Sequence, residues 1–432
     1  MRTAWLAPLL LTASAVPCAA SEQVPPPEFS QGYQYPHVST PGPRADWLSY
    51  ADVAVLVAAL SLAAYLALRK RRRRDLVVLT VFSLLYFGFY RHGCVCSVGA
   101  IQNVALALFR GDYALPAAAG AFFLLPLLFA LLFGRVFCAA VCPLGAAQEV
   151  VLLRPVRVPS WLDNALGTLP YVYLGAAVLF AATGSAFVIC DYDPFVLFFR
   201  LAGSIPMLIF GGCVLLAATV IGRPYCRFLC PYGVLLRWVA PLAKWQVRIT
   251  PTQCVNCHLC ADACPYGAIR APTPEPGSVS RQAGRGRLAA LLFLLPVMIA
   301  LGGWLASLSR PLLARVHPKV RLANRLWLEE KGRVEGKKEI TEAFELQGLP
   351  SSDVYQEAAA VHARFSVGSW LFGGWLGLVL GLRMIGQSIR RHRREYEVDS
   401  GACVACGRCY AACPVEHAGA PATAALSADE RP

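Results

Sequence analysis

The chain has 432 residues, of which 56% are hydrophobic and only 15% charged, and its formal net charge is +14. Soluble domains carry about 25% charged residues, so the composition points to a membrane protein. The basic residues cluster beside apolar segments, as at the cytoplasmic ends of membrane helices, and this argues against nucleic acid as a partner.

Taken in order, residues 1–20 read as a signal peptide, with Arg2, an apolar stretch from Ala4 to Val16, and Cys18–Ala19–Ala20 as a small-residue cleavage site. An uncleaved anchor is the alternative. Residues 21–50 are a Pro-rich periplasmic linker. Residues 51–250 form a transmembrane core, with apolar spans expected at 51–68, 76–91, 115–134, 169–186 and 204–222. The stretch 92–113 is expected as a loop near the outer face. Residues 251–270 are a cytoplasmic cysteine run, 287–309 a further span, 310–367 a periplasmic segment, 368–386 a last span, and 387–432 a second cytoplasmic run with its tail. Arg69 and Lys70 to Arg74, and later Arg390, Arg391, Arg393 and Arg394, follow spans directly and belong inside. The expected fold is an all-α integral membrane protein of about seven spans, with a small α+β ferredoxin-like cytoplasmic module holding two [4Fe–4S] clusters.

That module rests on two runs of identical spacing. Cys254, Cys257, Cys260 and Cys264 are followed by Pro265, and Cys403, Cys406, Cys409 and Cys413 by Pro414. This is the C-x₂-C-x₂-C-x₃-C-P run of bacterial ferredoxins, in which the fourth cysteine ligates the other cluster. If the runs form one module, Cys413 joins Cys254, Cys257 and Cys260, while Cys264 joins Cys403, Cys406 and Cys409. Structural zinc is the bland alternative, and the third gap and the proline fit it less well.

An internal repeat carries a second set of thiols. GRVFCAAVCPLG and IGRPYCRFLCPYG each follow an inbound span. They place Cys138, Cys142, Cys226 and Cys230 at the inner face as candidate ligands of another iron–sulfur or metal centre, against the alternative of inert buried thiols. Cys94, Cys96 and Cys190 fall near the outer face, where a disulfide competes with a redox centre. Cys257–His258 completes a C-x-x-C-H string, but its cysteines belong to the ferredoxin run, so no haem is expected. The spans lack an intramembrane acidic pair, which argues against a transporter.

Two C-x₃-C-P motifs on membrane helices followed by two ferredoxin runs resemble the membrane-bound polyferredoxins of the NosR and NapH type, over about residues 75–270 and 387–414. The resemblance implies an inner-membrane protein with its clusters on the cytoplasmic side. Electrons would pass between a cytoplasmic or quinol donor and a periplasmic redox partner, either a flavinylated protein or a reductase. Segment 310–367 is the candidate docking region. NosR-type proteins carry an S-G-A-T flavinylation motif that this sequence lacks, so any covalent flavin is expected on a partner. The alternative function is an accessory protein for maturation or redox sensing. On either reading the chain is an electron-transfer component rather than a stand-alone enzyme.

Overall fold

The computed structural model describes residues 45–414, apart from 94–95, 112, 157, 201–203, 250–256, 274–280, 335, 337, 389–392 and 394–395. The expected signal peptide, nearly all of the linker, Cys94 and Cys254 lie outside the described residues.

Helix α1, Asp46–Tyr65, runs into a π-helical turn, Leu66–Lys70, that ends on left-handed Arg71. The return leg is α2, Arg73–Ser83, continued by a π-helical stretch, Leu84–Tyr90. The expected loop at 92–113 instead contains α3, Ser97–Phe109, whose first turns are buried. Its sequence VGAIQNVALALF is apolar enough to pack, and of its two polar residues the buried one, Gln102, accepts a hydrogen bond from the Ile189 backbone N–H at 2.9 Å.

Helix α4, Ala117–Phe133, is followed by a π-helical turn, Phe137–Val141, and then by α5, Pro143–Val150. Helices α6, Ser160–Leu166, and α7, Leu169–Thr183, form one continuous apolar rod. Short α8, Val188–Asp191, and α9, Val196–Arg200, lead to α10, Ile205–Ala218, then α11, Pro224–Phe228, and α12, Pro231–Val239. The first ferredoxin run contributes α13, Leu259–Asp262, and β1, Ile269–Arg270.

Helix α14, Arg281–Leu308, leaves this module. Helices α15, Arg310–Ala314, α16, Pro318–Glu330, and α17, Glu339–Leu346, close a small core with the start of α18, Ser351–Ser388, around Leu326, Phe344, Val361 and Phe365. The second run supplies β2, Glu397–Val398, and α19, Arg408–Ala412.

Among the described residues four helical segments are long and apolar enough to cross a bilayer: Trp47–Lys70, Ser160–Thr183, Gly284–Leu308 and Ser351–Ser388. The spans expected at 115–134 and 204–222 appear as the shorter apolar helices α4 and α10. At 1.5 Å per residue the 38-residue α18 is roughly 57 Å long, about twice a hydrocarbon core of ~30 Å. One end must therefore stand clear of lipid, and that end carries the small helical core. Much of α14 is open to its surroundings, with Phe293 82% exposed, as suits a lipid-facing helix.

Helices α14 and α18 approach closely through glycine. A Cβ on Gly373 would collide with the Gly302 carbonyl, and one on Gly377 with that of Met298. Small residues at such crossings let backbones pack where no hydrophobic force drives association. Gly373→Leu is expected to lower the thermal midpoint in detergent by an amount equivalent to about 1–3 kcal/mol, the usual cost of overpacking. Gly386→Ala, on the same helix but facing open space, should leave the midpoint unchanged or slightly raised.

Candidate iron–sulfur sites

The two ferredoxin runs lie far apart in sequence, yet they form one unit. Strand β1 pairs antiparallel with β2, Ile269 opposite Val398 and Arg270 opposite Glu397. The Asp399 N–H donates to the Ala268 carbonyl at 2.7 Å, and its carboxylate accepts from the Gly401 and Ala402 N–H groups. Both runs bend the same way: His258 and Gly407, at equivalent positions, are left-handed and open α13 and α19. Glycine takes that conformation freely. His258 is braced by the Tyr396 hydroxyl at its Nδ1 and by the Tyr396 ring.

Cys264 turns away from its own run. It lines one pocket together with Cys403, Cys406 and Cys409, walled by Tyr266, Ala268, Ile269 and Val398. Burial pushes the Cys403 thiol up to about 12, against a backbone hydrogen bond from Ala405. Burial also raises Cys409, and neighbouring cysteines add to the shift. Thiols so placed lose their protons only when a cation takes the proton's place on sulfur, and four soft sulfur donors in one pocket fit an iron–sulfur cluster. Of the first run, Cys260 is buried and Cys257 exposed, and Cys413 of the second run is half-buried.

The repeat builds a second set of thiols with one recurring local geometry. After α4, Gly134 has φ +70° and Cys138 sits on the π-helical turn. Cys142 is extended and caps α5, with Pro143 in the first turn. After α10, Arg223 is left-handed and Cys226 sits on α11. Cys230 is extended and caps α12, with Pro231 in the first turn. Proline suits the first helical turn because the N–H it lacks has no partner there. The halves interlock. Arg223 of the second donates to the Cys138 and Ala139 carbonyls of the first, and a Cβ on Gly145 would lie 3.2 Å from its Nη1. Reciprocally, a Cβ on Gly233 would lie 3.6 Å from the Arg135 Nη2. Cys138, Cys142 and Cys230 are buried, Cys226 is half-buried, and the four are electrostatic neighbours. Three of their sulfurs accept N–H bonds: Cys138 from Arg135 Nη2 (3.7 Å), Cys226 from Gln148 Nε2 (3.4 Å) and Cys230 from the Gly233 backbone (3.3 Å). Among the described residues, no three Cys, His, Asp or Glu side chains close on a single-ion site.

One carboxylate joins the thiol sets. Glu149, on α5, accepts from Arg73 (3.0 Å) and Arg408 (2.9 Å) on Oε1, and from Arg223 (3.1 Å) and Tyr266 (3.0 Å) on Oε2. Tyr266 belongs to the first ferredoxin run and Arg408 to the second. Burial alone raises the Glu149 pKa, but the Arg223 and Arg408 charges and the hydrogen bonds outweigh it and bring the value down to about 2. Further contacts seat the module. Arg135 donates to the Gly401 carbonyl (2.9 Å), Arg73 to that of Cys406 (3.2 Å) and Arg227 to that of Pro265 (3.1 Å), and Gly222 leaves room for the Pro265 ring.

Family models described as 4Fe-4S binding domains match the chain twice over. One covers residues 114–160 and 204–250, the two halves of the repeat, and another covers 247–270 and 396–416, the two ferredoxin runs. The chain is 30% identical to NirI of Paracoccus denitrificans over 221 residues, and 30% identical to the regulatory protein NosR of Pseudomonas aeruginosa over 213. It is also 29% identical to YccM of Escherichia coli, which bears an electron-transport name, over 188 residues. In these stretches the chain is similar to NosR/NapH-like membrane 4Fe–4S proteins. These matches take in 46%, 44% and 39% of this chain, and the matched stretch spans about half of YccM but under a third of NirI and NosR. No solved structure matches it.

In this NosR/NapH-like chain the third thiol set borders the second. Cys96 caps α3, and Cys190, on α8, would lie 3.4 Å from a Cβ on Gly99. Both line a cavity with Asp52, Arg91, Asp193 and Arg200. Cys96 also lines a smaller apolar pocket that it shares with Cys142, Phe87, Phe122 and Phe137. One cysteine of the outer set, Cys96, and one of the inner set, Cys142, thus share a small pocket. The residues that sequence reasoning missed are Glu149, Arg73 and Arg408. The Gly–Arg pair heading both repeats marks Arg223, one partner of Glu149, but none of these three.

Glu149→Gln should destabilise the junction by about 3–5 kcal/mol, because it leaves the Arg223 charge buried and uncompensated. Thermal unfolding in detergent checks this. Because the folded-state pKa is depressed, the stabilisation from Glu149 is present in full above the ordinary carboxylate range near ~4.3. It should fade as pH drops towards about 2.

Proposed function

We propose that this chain passes electrons between a cytoplasmic or quinol donor and a periplasmic redox partner. The observation that carries this reading is the continuity of the thiol sets. The Cys264, Cys403, Cys406 and Cys409 pocket is tied through Arg135 and Glu149 to Cys138, Cys142, Cys226 and Cys230, and these adjoin Cys96 across one pocket. On this reading Cys264, Cys403, Cys406 and Cys409 hold one [4Fe–4S] cluster, and Cys254, Cys257, Cys260 and Cys413 hold the other. The inner four cysteines hold a further centre, and Cys94, Cys96 and Cys190 serve the outer end. A thiolate-ligated cluster supplies one-electron exchange at a potential set by its surroundings. The chain's own part is to space the thiols, exclude water from them and fix the charge around them. A hydrocarbon core of ~30 Å needs such intermediate stations.

The remaining features follow the same reading: about seven spans, both ferredoxin runs in the cytoplasm of a bacterial inner membrane, and segment 310–367 on the periplasmic side as the docking surface. The regulatory name of NosR favours a second reading, an accessory or sensing protein of low turnover.

Anaerobically purified protein should contain about eight iron atoms from the ferredoxin module, with any inner centre additional. Cys264→Ser should alter the cluster of the second run although the residue belongs to the first. Electron delivery in inverted vesicles separates the two functional readings. Sustained flux that stops in Cys138→Ser and in Cys226→Ser supports transfer. Negligible wild-type flux with intact clusters supports the accessory role.

A further inference from the structure

Arg135 is 7% exposed and makes no ion pair with a carboxylate among the described residues, unlike Arg73, Arg223 and Arg408, which share Glu149, or Arg227, which pairs with Asp163. A buried guanidinium without a counter-charge is costly, because burial strips its hydration and nothing replaces it. Two of its nitrogens face opposite partners. Nη1 donates to the Gly401 carbonyl, two residues before Cys403, and Nη2 donates to the Cys138 sulfur. Its Nε is buried and has no partner among the described residues, and the side chain lines a cavity with Cys226 and Cys230. The pseudo-equivalent Arg223 is used quite differently, spent on Glu149 and two backbone carbonyls. The repeat therefore sets one arginine to hold the structure together and leaves the other facing sulfur.

We propose that Arg135 is the counter-charge and positioning residue of the inner centre held by Cys138, Cys142, Cys226 and Cys230, and that its bond to Gly401 couples that centre to the ferredoxin module. The inference rests on the reading that these four cysteines bind an iron–sulfur centre. Four thiolates around iron and sulfide carry net negative charge, which is what the unpaired guanidinium lacks, and a sulfur acceptor satisfies the spare N–H. A cation and an N–H···S bond both favour the more negative, reduced form, so they raise the reduction potential. The same side chain fixes how closely the Cys403 loop approaches the inner thiols, since one guanidinium spans the gap between them.

The test is a potentiometric titration followed by electron paramagnetic resonance, with iron counts, on the full chain in detergent. In the wild type, one signal should disappear in Cys138→Ser and Cys226→Ser. Arg135→Gln should retain that signal while its midpoint falls by at least 59 mV, a tenfold loss in the one-electron reduction equilibrium. Arg135→Lys, which keeps the charge but not the fork, should stay nearer the wild-type midpoint. An intact signal with an unshifted midpoint in Arg135→Gln overturns the proposal. So does loss of the signal in both Arg135 variants, which would leave the residue a folding role alone. If wild-type iron and spectra are indifferent to Cys138→Ser and Cys226→Ser, the failure lies with the inner centre itself rather than with Arg135.

Discussion

A single buried carboxylate holds the parts of this protein in register. Glu149 gathers Arg73 from the start of α2, Arg223 from the break before α11, Tyr266 from the first ferredoxin run and Arg408 from the second. Buried ion networks add little stability over an apolar core of the same shape, but removing one member is costly. Such a network is better understood as a specification. Both oxygens are occupied, and each arginine comes from a different segment, so the carboxylate is satisfied only when all four segments are in place. The membrane repeat and the cysteine module thus share one electrostatic joint.

Around that joint the repeat solves a local problem twice. A thiol on a continuous helix points to one side at a depth fixed by 3.6 residues per turn. Breaking the helix at Gly134 and at Arg223, and restarting it with Pro143 and Pro231, takes two cysteines four residues apart off a single continuous helix. Irregular backbone of this kind is tolerated in a membrane protein where other protein covers it. Here the covering is mutual, since Arg223 caps the carbonyls freed by the break in the first half, and Arg135 reaches toward Gly233 in the second.

The ferredoxin runs and the C-x₃-C-P repeat were legible in sequence because their information is local, a matter of cysteine spacing and of proline and glycine punctuation. The apolar helices are legible for the same reason, whereas the 92–113 stretch, expected as a loop between two spans, contains α3. Glu149 was not legible. It is one acidic residue after an apolar stretch, and its partners lie from 74 to 259 positions away. The contrast between Arg135 and Arg223 was hidden too. The two occupy the same place in the repeat but differ in backbone conformation, Arg223 being left-handed where Gly134 takes that role before Arg135, and in what the tertiary structure brings beside them.

The hairpin of α14 and α18, with its outlying helical core, is inserted between β1 and β2, and between Cys264 and the three cysteines with which it shares a pocket. That pocket is incomplete until both hairpin legs have been made and the chain has come back to residue 409. Biogenesis therefore has a built-in order. A nascent chain stalled anywhere in the hairpin carries only Cys264 and the first-run side of this pocket, so the four thiols come together only after both legs have been made.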